Sequence, residues 1–213
     1  MKIYIYPTFD GEDQGDGGVR RTVELQRTVL AQRGFEMVER DDEADIIIVH
    51  IQQAAAWLAK RTRSLVIADC HGFYWSDRDP NTGEPYQWEA WAHRANADVM
   101  ETIRQADGVI AHSQWVAQAI RRHTMRNVAV IPHAIDLDDW PPQDEGDNYV
   151  LWNKNRPDPI CDPGPVLELA HAMRDVQFVA TFAPDGQEVP PNMLVTGRLP
   201  FAEARKVVER AEV

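Results

Sequence analysis

The sequence predicts an α/β protein in which a Rossmann-like parallel sheet is followed by the beginning of a second one. Three observations support this prediction. Short apolar segments alternate with helical patterns along the chain, the segment IIIV at 46–49 is continuously apolar, and the alternation restarts near residue 149. Strands that alternate with helices form parallel βαβ units. Continuously apolar strands are typical of parallel sheets covered on both faces.

The first part of the chain contains six expected strands and four expected helices. The strands are predicted at 2–6, 35–39, 46–49, 65–69, 109–111 and 128–131, and the helices at 19–33, 53–61, 87–105 and 114–123. The first helix places Val19, Val23, Gln26 and Leu30 on one stripe, and Gly34 is its stop signal. Turn-forming residues at 76–86 predict a loop. Ser113 is positioned to cap the fourth helix.

The second part of the chain repeats the pattern on a smaller scale. Strands are expected at 149–152, 178–181 and 193–196, and helices at 165–173 and 201–210. The stretch 137–147 combines two prolines with many acids, which favours a linker. We therefore predict an N-terminal domain over 1–137, a linker over 138–147 and an incomplete C-terminal domain over 148–213. A complete domain usually needs about 100 residues.

Composition excludes several classes of protein. The 34 acidic residues outnumber the 22 basic ones, and the net charge of −12 disfavours nucleic acid as a partner. Local basic clusters at 20–21, 60–63 and 121–122 leave a small basic patch open. Two cysteines form no disulfide framework, so we expect a cytoplasmic protein. No apolar run reaches membrane-spanning length, which leaves peripheral membrane contact as the remaining membrane association.

Two loops are candidates for ligand contact. The first is Gly15–Gly18, where Gly17 and Gly18 let the backbone approach a ligand and the following helix offers free N–H groups. It is not a GxGxxG motif, which disfavours a dinucleotide, and a flexible turn is the alternative. The second is Asp69-Cys70-His71-Gly72, which follows a strand at the edge where α/β sheets bind ligands.

Neighbouring residues extend this second candidate. His71 is suited to hydrogen bonding near neutral pH, and packing under the next loop is the alternative. Phe73, Tyr74 and Trp75 follow it and could line a pocket or simply pack. The seven histidines show no HExxH, the cysteines show no paired CxxC, and no GxSxG occurs. We therefore expect no metal site.

The segment 109–136, VIAHSQWVAQAIRRHTMRNVAVIPHAID, resembles glycosyltransferase family 4. In that family one strand ends in a Ser at which a helix begins. A later strand continues into the sequence IPNGVD at the interdomain hinge. Here the hinge residues are IPHAID, with His133 and Ala134 in place of Asn and Gly, and with Asp136 retained. Gly17 and Gly18 fall where the family has a glycine-rich donor/acceptor loop, which implies a donor-phosphate contact, and His71 falls where it has an active-site histidine.

The resemblance implies a GT-B-fold hexosyltransferase that uses a nucleotide diphosphate sugar, retains the anomeric configuration and needs neither metal nor cofactor. His71 would contact the reacting sugar, with Phe73, Tyr74, Trp75 and Ser113 on the acceptor side. Lys154 and Arg156 follow the first strand of the second domain, where the family holds the donor diphosphate. The Gly-Arg dipeptide that the family usually has here, and the Lys a few residues after it, do not occur at this position of the sequence.

One departure affects the expected activity. The paired glutamates that contact the donor in family 4 have no match after Arg198, so we expect these 213 residues alone to be inactive or very weak. The alternative function is a non-catalytic Rossmann-like binding module. The sugar, the nucleotide, the acceptor and the oligomeric state are not determined by the sequence.

Overall fold

A computed structural model of the protein describes residues 1–11, 17–50, 63–72, 88–135, 137, 140, 146–154, 161–181 and 188–212. The predicted helix at 53–61, the predicted loop at 76–86 and most of the predicted linker lie outside these residues. The described residues form two compact units. Met1–Asp10 and Gly18–Ala134 make the first, and Ile135–Val213 with the segment 11–17 make the second.

The first unit is built on a six-stranded sheet in which every strand pair is parallel. Its strands are β1 (Lys2–Tyr6), β2 (Glu36–Met37), β3 (Ile46–Val49), β4 (Leu65–Cys70), β5 (Gly108–Ala111) and β6 (Ala129–Val130). Its described α-helices are α1 (Gly18–Gln32), α2 (Ala90–Gln105) and α3 (Gln114–Thr124), and a short 3-10 helix spans Asp41–Glu43. The predicted parallel α/β architecture is confirmed.

Helices cover both faces of this sheet, as the continuously apolar strands require. On one face, Ile3 and Ile5 pack with Val23 of α1 in one buried cluster. On the other face, Val66 and Ala68 share a larger cluster with residues of α2 and α3. Alternate residues of a strand point to opposite faces, so a sheet with two apolar faces needs apolar residues at successive positions.

The strand order is β2-β1-β3-β4-β5-β6, so the chain reverses direction across the sheet between β1 and β3. Ligands of open α/β sheets bind outside the carboxyl ends of the strands, at the point where the strand order reverses. The carboxyl end of β3 is Val49, and His50 follows it directly. The topology thus predicts a ligand site at the edge of the sheet that contains His50.

The second unit contains a smaller parallel sheet of order β7-β8-β9. Its elements are β7 (Tyr149–Trp152), α4 (Gly164–Ala172), β8 (Gln177–Ala180), β9 (Met193–Val195) and α5 (Phe201–Glu209). Phe178 is the largest fully buried side chain among the described residues and packs with Val166, Leu167 and Ala170 of α4. Asp147 belongs to this unit, and its carboxylate pairs with Arg210 at 2.6 Å.

Some element boundaries differ from those predicted. Helix α2 begins at Ala90, and β2 is limited to two residues because this edge strand pairs only with β1, at Lys2 and Ile3. Leu65, in the strand predicted at 65–69, is 56% exposed because it is the first residue of β4, at the amino edge of the sheet. None of the described helices is both long and apolar enough to span a membrane.

Ser113 is the N-cap of α3, as predicted from its position. Its side-chain oxygen accepts a hydrogen bond from the Val116 N–H at 3.2 Å. We expect Ser113→Ala to lower the free energy of unfolding by about 1 kcal/mol, because an N–H group of the first turn loses its partner. Ser113→Asp should retain most of the stability, since Asp also caps. Urea unfolding of both variants tests this, and equal losses would contradict a capping role.

A histidine and carboxylate cluster as the candidate functional site

Four histidines lie together at the carboxyl edge of the six-stranded sheet. His50 follows β3, His71 follows β4, His112 follows β5, and His133 lies three residues beyond β6. The ring centroid of His71 lies 5.2 Å from that of His50, 5.1 Å from that of His112 and 5.2 Å from that of His133. Because parallel strands end at the same edge, residues distant in sequence converge here.

Asp69, the penultimate residue of β4, lies beneath these rings. Its side chain is 1% exposed. Its Oδ2 accepts a hydrogen bond from Gln26 Nε2 of α1 at 2.9 Å and lies 3.8 Å from His50 Nδ1. No lysine or arginine within the described ranges forms an ion pair with Asp69. Among the described residues, the charge compensation of this buried carboxylate therefore falls to the histidines and to the amide of Gln26.

A chain of hydrogen bonds connects Asp69 to His71. A carboxylate only accepts hydrogen bonds, so the amide nitrogen of Gln26 faces Asp69 and the amide oxygen faces away. That oxygen, Oε1, lies 3.0 Å from His50 Nε2, which must then donate. In a neutral imidazole the other nitrogen is an acceptor. His50 Nδ1 lies 2.9 Å from His71 Nε2 and accepts its proton.

This chain of contacts defines the tautomer of His71. Nε2 carries the proton and Nδ1 is an acceptor. The assignment requires neutral rings, and the surroundings favour them. Burial, followed by the charge of His50, lowers the pKa of His71 to about 4. Burial also lowers the pKa of His50, against the opposing effect of Asp69. A neutral His71 offers a hydrogen-bond acceptor at the ligand-binding edge of the sheet.

His112 and His133 form the other side of the cluster. Their rings stack at a centroid distance of 3.5 Å. The Ile131 carbonyl accepts a hydrogen bond from His112 Nδ1 at 2.8 Å. His112 Nε2 lies 2.6 Å from Asp69 Oδ1, yet the two are not aligned as a hydrogen bond and both are buried without another partner. Burial, then His112, lowers the pKa of His133.

Cys70 lies beside the cluster but has no reactive thiolate. Burial, then the charge of Asp69, raises the pKa of its thiol to about 12. A thiolate is the nucleophilic form of cysteine, so this side chain stays an inert thiol.

The other predicted site residues are distributed over the two units. His71 and His133 lie in the cluster, so His133 contacts the site in addition to its predicted place at the hinge. Ser113 is exposed and caps α3. Gly18 begins α1, and Gly17 adopts a φ of +84°, a conformation that favours glycine. Phe73, Tyr74, Trp75, Asp136 and Arg156 lie outside the described residues.

Lys154 lies at the corresponding edge of the second sheet. It is exposed and follows β7 by two residues. Polar groups surround the same strand ends, where Thr181 Oγ1 donates to Asn153 Oδ1 at 3.2 Å. The indole N–H of Trp152, the last residue of β7, is buried without a hydrogen-bond partner. Among the described residues, the carboxyl edge of this sheet thus presents hydrogen-bonding groups and the cation Lys154.

Sequence reasoning missed three members of the cluster. His50 and His112 were not singled out, and Gln26 was placed on the apolar stripe of α1. A signal for the histidines was present, because Val49-His50, Cys70-His71, Ala111-His112 and Pro132-His133 each place a histidine at or near the end of an expected strand. The position of Gln26 on the apolar stripe indicated an inward-facing side chain, but nothing in the sequence indicated its partner.

Comparisons with known proteins identify the family. The model of Glycosyltransferase Family 4 matches residues 18–139, which is more than half of the chain. The chain belongs to glycosyltransferase family 4. The matched region includes the four histidines and Asp69, so the cluster lies within the part of the chain that defines membership. No curated protein matches the chain by sequence similarity.

Solved structures show the same fold. One is described as an alpha-glucosyltransferase in complex with UDP-glucose and DNA containing an abasic site; it shares 12% identity and a TM-score of 0.59, over 98% of this chain and 69% of that one. Another, an alpha-glucosyltransferase in complex with UDP and a 13-mer DNA containing a HMU base, shares 13% identity and a TM-score of 0.60, over 99% and 71%. These likenesses support the GT-B fold predicted for the family 4 chain.

The hydrogen-bond chain predicts that Gln26 controls the tautomer of His71. In Gln26→Leu, His50 Nε2 loses its acceptor, so His50 and His71 should exchange between tautomers. Long-range ¹H–¹⁵N spectra of histidine-labelled protein, recorded with a chelator present, should show one His71 tautomer in the wild type and a mixture in the variant. Gln32→Leu, on the exposed part of α1, is the control. A single unchanged tautomer in Gln26→Leu would contradict the chain.

Proposed function

We propose that this family 4 protein transfers a hexosyl group from a nucleotide diphosphate sugar to an acceptor, with retention of anomeric configuration. The observation that supports this most is the neutral His71 at the carboxyl edge of the first sheet. Its Nδ1 is a hydrogen-bond acceptor, and its ring is held by His50, Gln26 and Asp69. A histidine positioned in this way can accept a hydrogen bond from a hydroxyl of the sugar as charge develops at the anomeric carbon.

The donor diphosphate is assigned to the second unit. Lys154 is an exposed cation at the carboxyl edge of the second sheet, next to the hydroxyl and amide groups of Thr181 and Asn153. A lysine neutralises a phosphate as a point charge and stabilises a departing diphosphate. Two solved relatives in fold contain UDP or UDP-glucose, so UDP-glucose is the first donor to test.

The acceptor is proposed to be other than nucleic acid, although the same solved structures contain DNA. The net charge of this chain is −12. Of the basic clusters in the sequence, Arg20 and Arg21 both pair with Glu24, at 2.7 and 3.0 Å. Cations already paired with carboxylates attract a phosphate backbone weakly.

These 213 residues are proposed to bind the donor but to turn over weakly at most. In the described part of the second unit, Glu209 is engaged by Arg205 at 2.7 Å, and Glu203 lies exposed in the first turn of α5. Glu203 and Glu209 therefore do not form a pair of carboxylates that a sugar could contact. A non-catalytic binding module is the alternative function, and it would bind a nucleotide sugar without releasing the nucleoside diphosphate.

Lys154 can be tested by donor binding. We expect a thermal-shift screen of UDP-, GDP-, ADP- and TDP-sugars to identify a stabilising donor, and duplex DNA to leave the melting temperature unchanged. Lys154→Ala should weaken donor binding roughly 10-fold or more, because a hydrogen bond to a charged group contributes about 1.5–3 kcal/mol. Lys206→Ala, on the exposed side of α5, is the matched control. Equal affinities of the two variants would remove Lys154 from the donor site.

His71 can be tested by kinetics in a form of the protein that turns over. We expect His71→Ala to lower kcat roughly 10²-fold, or about 3 kcal/mol of transition-state stabilisation, with little change in melting temperature. His93→Ala, an exposed histidine of α2, should leave kcat unchanged. Release of the nucleoside diphosphate provides the rate. An early-melting His71 variant with normal turnover per folded molecule would show that the residue only supports packing.

A further inference from the structure

We propose that His71, His112 and His133 form a binding site for one transition-metal dication of the zinc type. One ring nitrogen of each residue lies within 4.8 Å of the others. In a tetrahedral zinc site with bonds near 2.1 Å, two nitrogen ligands are about 3.4 Å apart. Bringing the nitrogens from within 4.8 Å of one another to about 3.4 Å therefore takes shifts of up to about 1.4 Å, together with a rotation of the His133 ring. The site departs from the metal-free protein expected from the sequence.

The buried charge beneath these rings favours a cation. Asp69 Oδ1 and His112 Nε2 are both buried without a hydrogen-bond partner, although they lie 2.6 Å apart. Burying a carboxylate is costly, and the described neighbours of Asp69 are the Gln26 amide, His50 and His112, with no lysine or arginine in an ion pair. A dication bound at His112 Nε2 would compensate this carboxylate. The fourth coordination position then falls to Asp69 or to water.

The surroundings orient two of the rings as metal ligands require. Metal-binding histidines usually donate their other ring N–H to a carbonyl, a carboxylate or a similar acceptor. His112 Nδ1 donates to the Ile131 carbonyl, which leaves Nε2 for the metal. His71 Nε2 donates to His50 Nδ1, which leaves Nδ1. His50 is in turn held by Gln26.

His133 is the adaptable member of the site. It is exposed, and its ring stacks on His112 with an interplanar angle of 21°. Stacked rings do not direct their nitrogens to one point, so binding requires the His133 ring to turn. Because the residue lies at the surface, this rotation displaces no core side chain. The exposure also provides a route for the ion from solvent.

A second group, His50, Asp69 and His71, has ligand atoms at comparable distances. Its atoms are already engaged, because Gln26 contacts both Asp69 Oδ2 and His50 Nε2, and His71 Nε2 donates to His50 Nδ1. An ion there would have to replace these hydrogen bonds in the interior. The more accessible group that includes His133 is therefore the proposed site.

The test uses Zn²⁺ alone, without sugar or nucleotide, so it does not depend on the proposed function. We expect isothermal titration of untagged, chelator-treated protein to give one high-affinity Zn²⁺ per chain. His133→Ala should lower the affinity at least ~10-fold, since even changes outside the ligand set cost about 10- to 100-fold. His93→Ala, an exposed histidine outside the cluster, should bind as the wild type does.

Replacement with Co²⁺ reports the coordination. The wild type should give the intense visible absorption of a four-coordinate site, and His133→Ala should lose it while its melting temperature without metal stays unchanged. Equal Zn²⁺ affinity in the His133 and His93 variants would overturn the proposal. So would a wild type that binds no stoichiometric Zn²⁺, or a weak Co²⁺ spectrum typical of six-coordinate surface binding.

Discussion

The carboxylate of Asp69 is the constraint on which the first unit's functional edge depends. It is buried at the end of a central strand, where removal of its hydration costs several kcal/mol unless other groups compensate. Gln26 donates to one oxygen and His112 lies against the other. These neighbours come from α1 and from the end of β5, so compensation of one charge couples a helix on one face of the sheet to the next strand.

The parallel sheet explains why this charge is surrounded by histidines. Each of β3, β4, β5 and β6 delivers its following residues to the same edge, and a histidine follows each of them. The apolar cores on the two faces hold the strands in register. The positions of the histidine rings are therefore set by packing in which the rings take no part. A rigid scaffold of this kind suits a site whose geometry must be maintained without ligand.

The two proposals assign two chemical roles to one set of side chains at this edge. A neutral ring with a defined tautomer can accept a hydrogen bond from a hydroxyl or donate its lone pair to a metal ion. The surroundings of His71 favour both, because burial disfavours its protonated form and His50 occupies its other nitrogen. Sugar and ion would meet the same acceptor atom, so occupancy of the site by one affects access by the other.

The sequence by itself determined the fold class, the order of the described strands and α-helices, and the family. Apolar runs such as 46–49 identified buried parallel strands because two-sided burial leaves few polar positions. The motif at 109–136 predicted the family 4 assignment that the family model supports, and the Asp69-Cys70-His71-Gly72 segment predicted the edge of the sheet where the cluster lies.

Only the tertiary structure decided which side chains meet there. The hydrogen bond between Gln26 and Asp69 links residues 43 positions apart, and the one between His50 and His71 links residues 21 positions apart. Periodicity placed Gln26 on the inner stripe of α1 but could not reveal a carboxylate opposite it. It likewise did not show which of the histidines that follow separate strands come into contact. Local patterns report which face of an element is buried, whereas pairing between elements depends on strand order and register, which arise from packing of the whole unit.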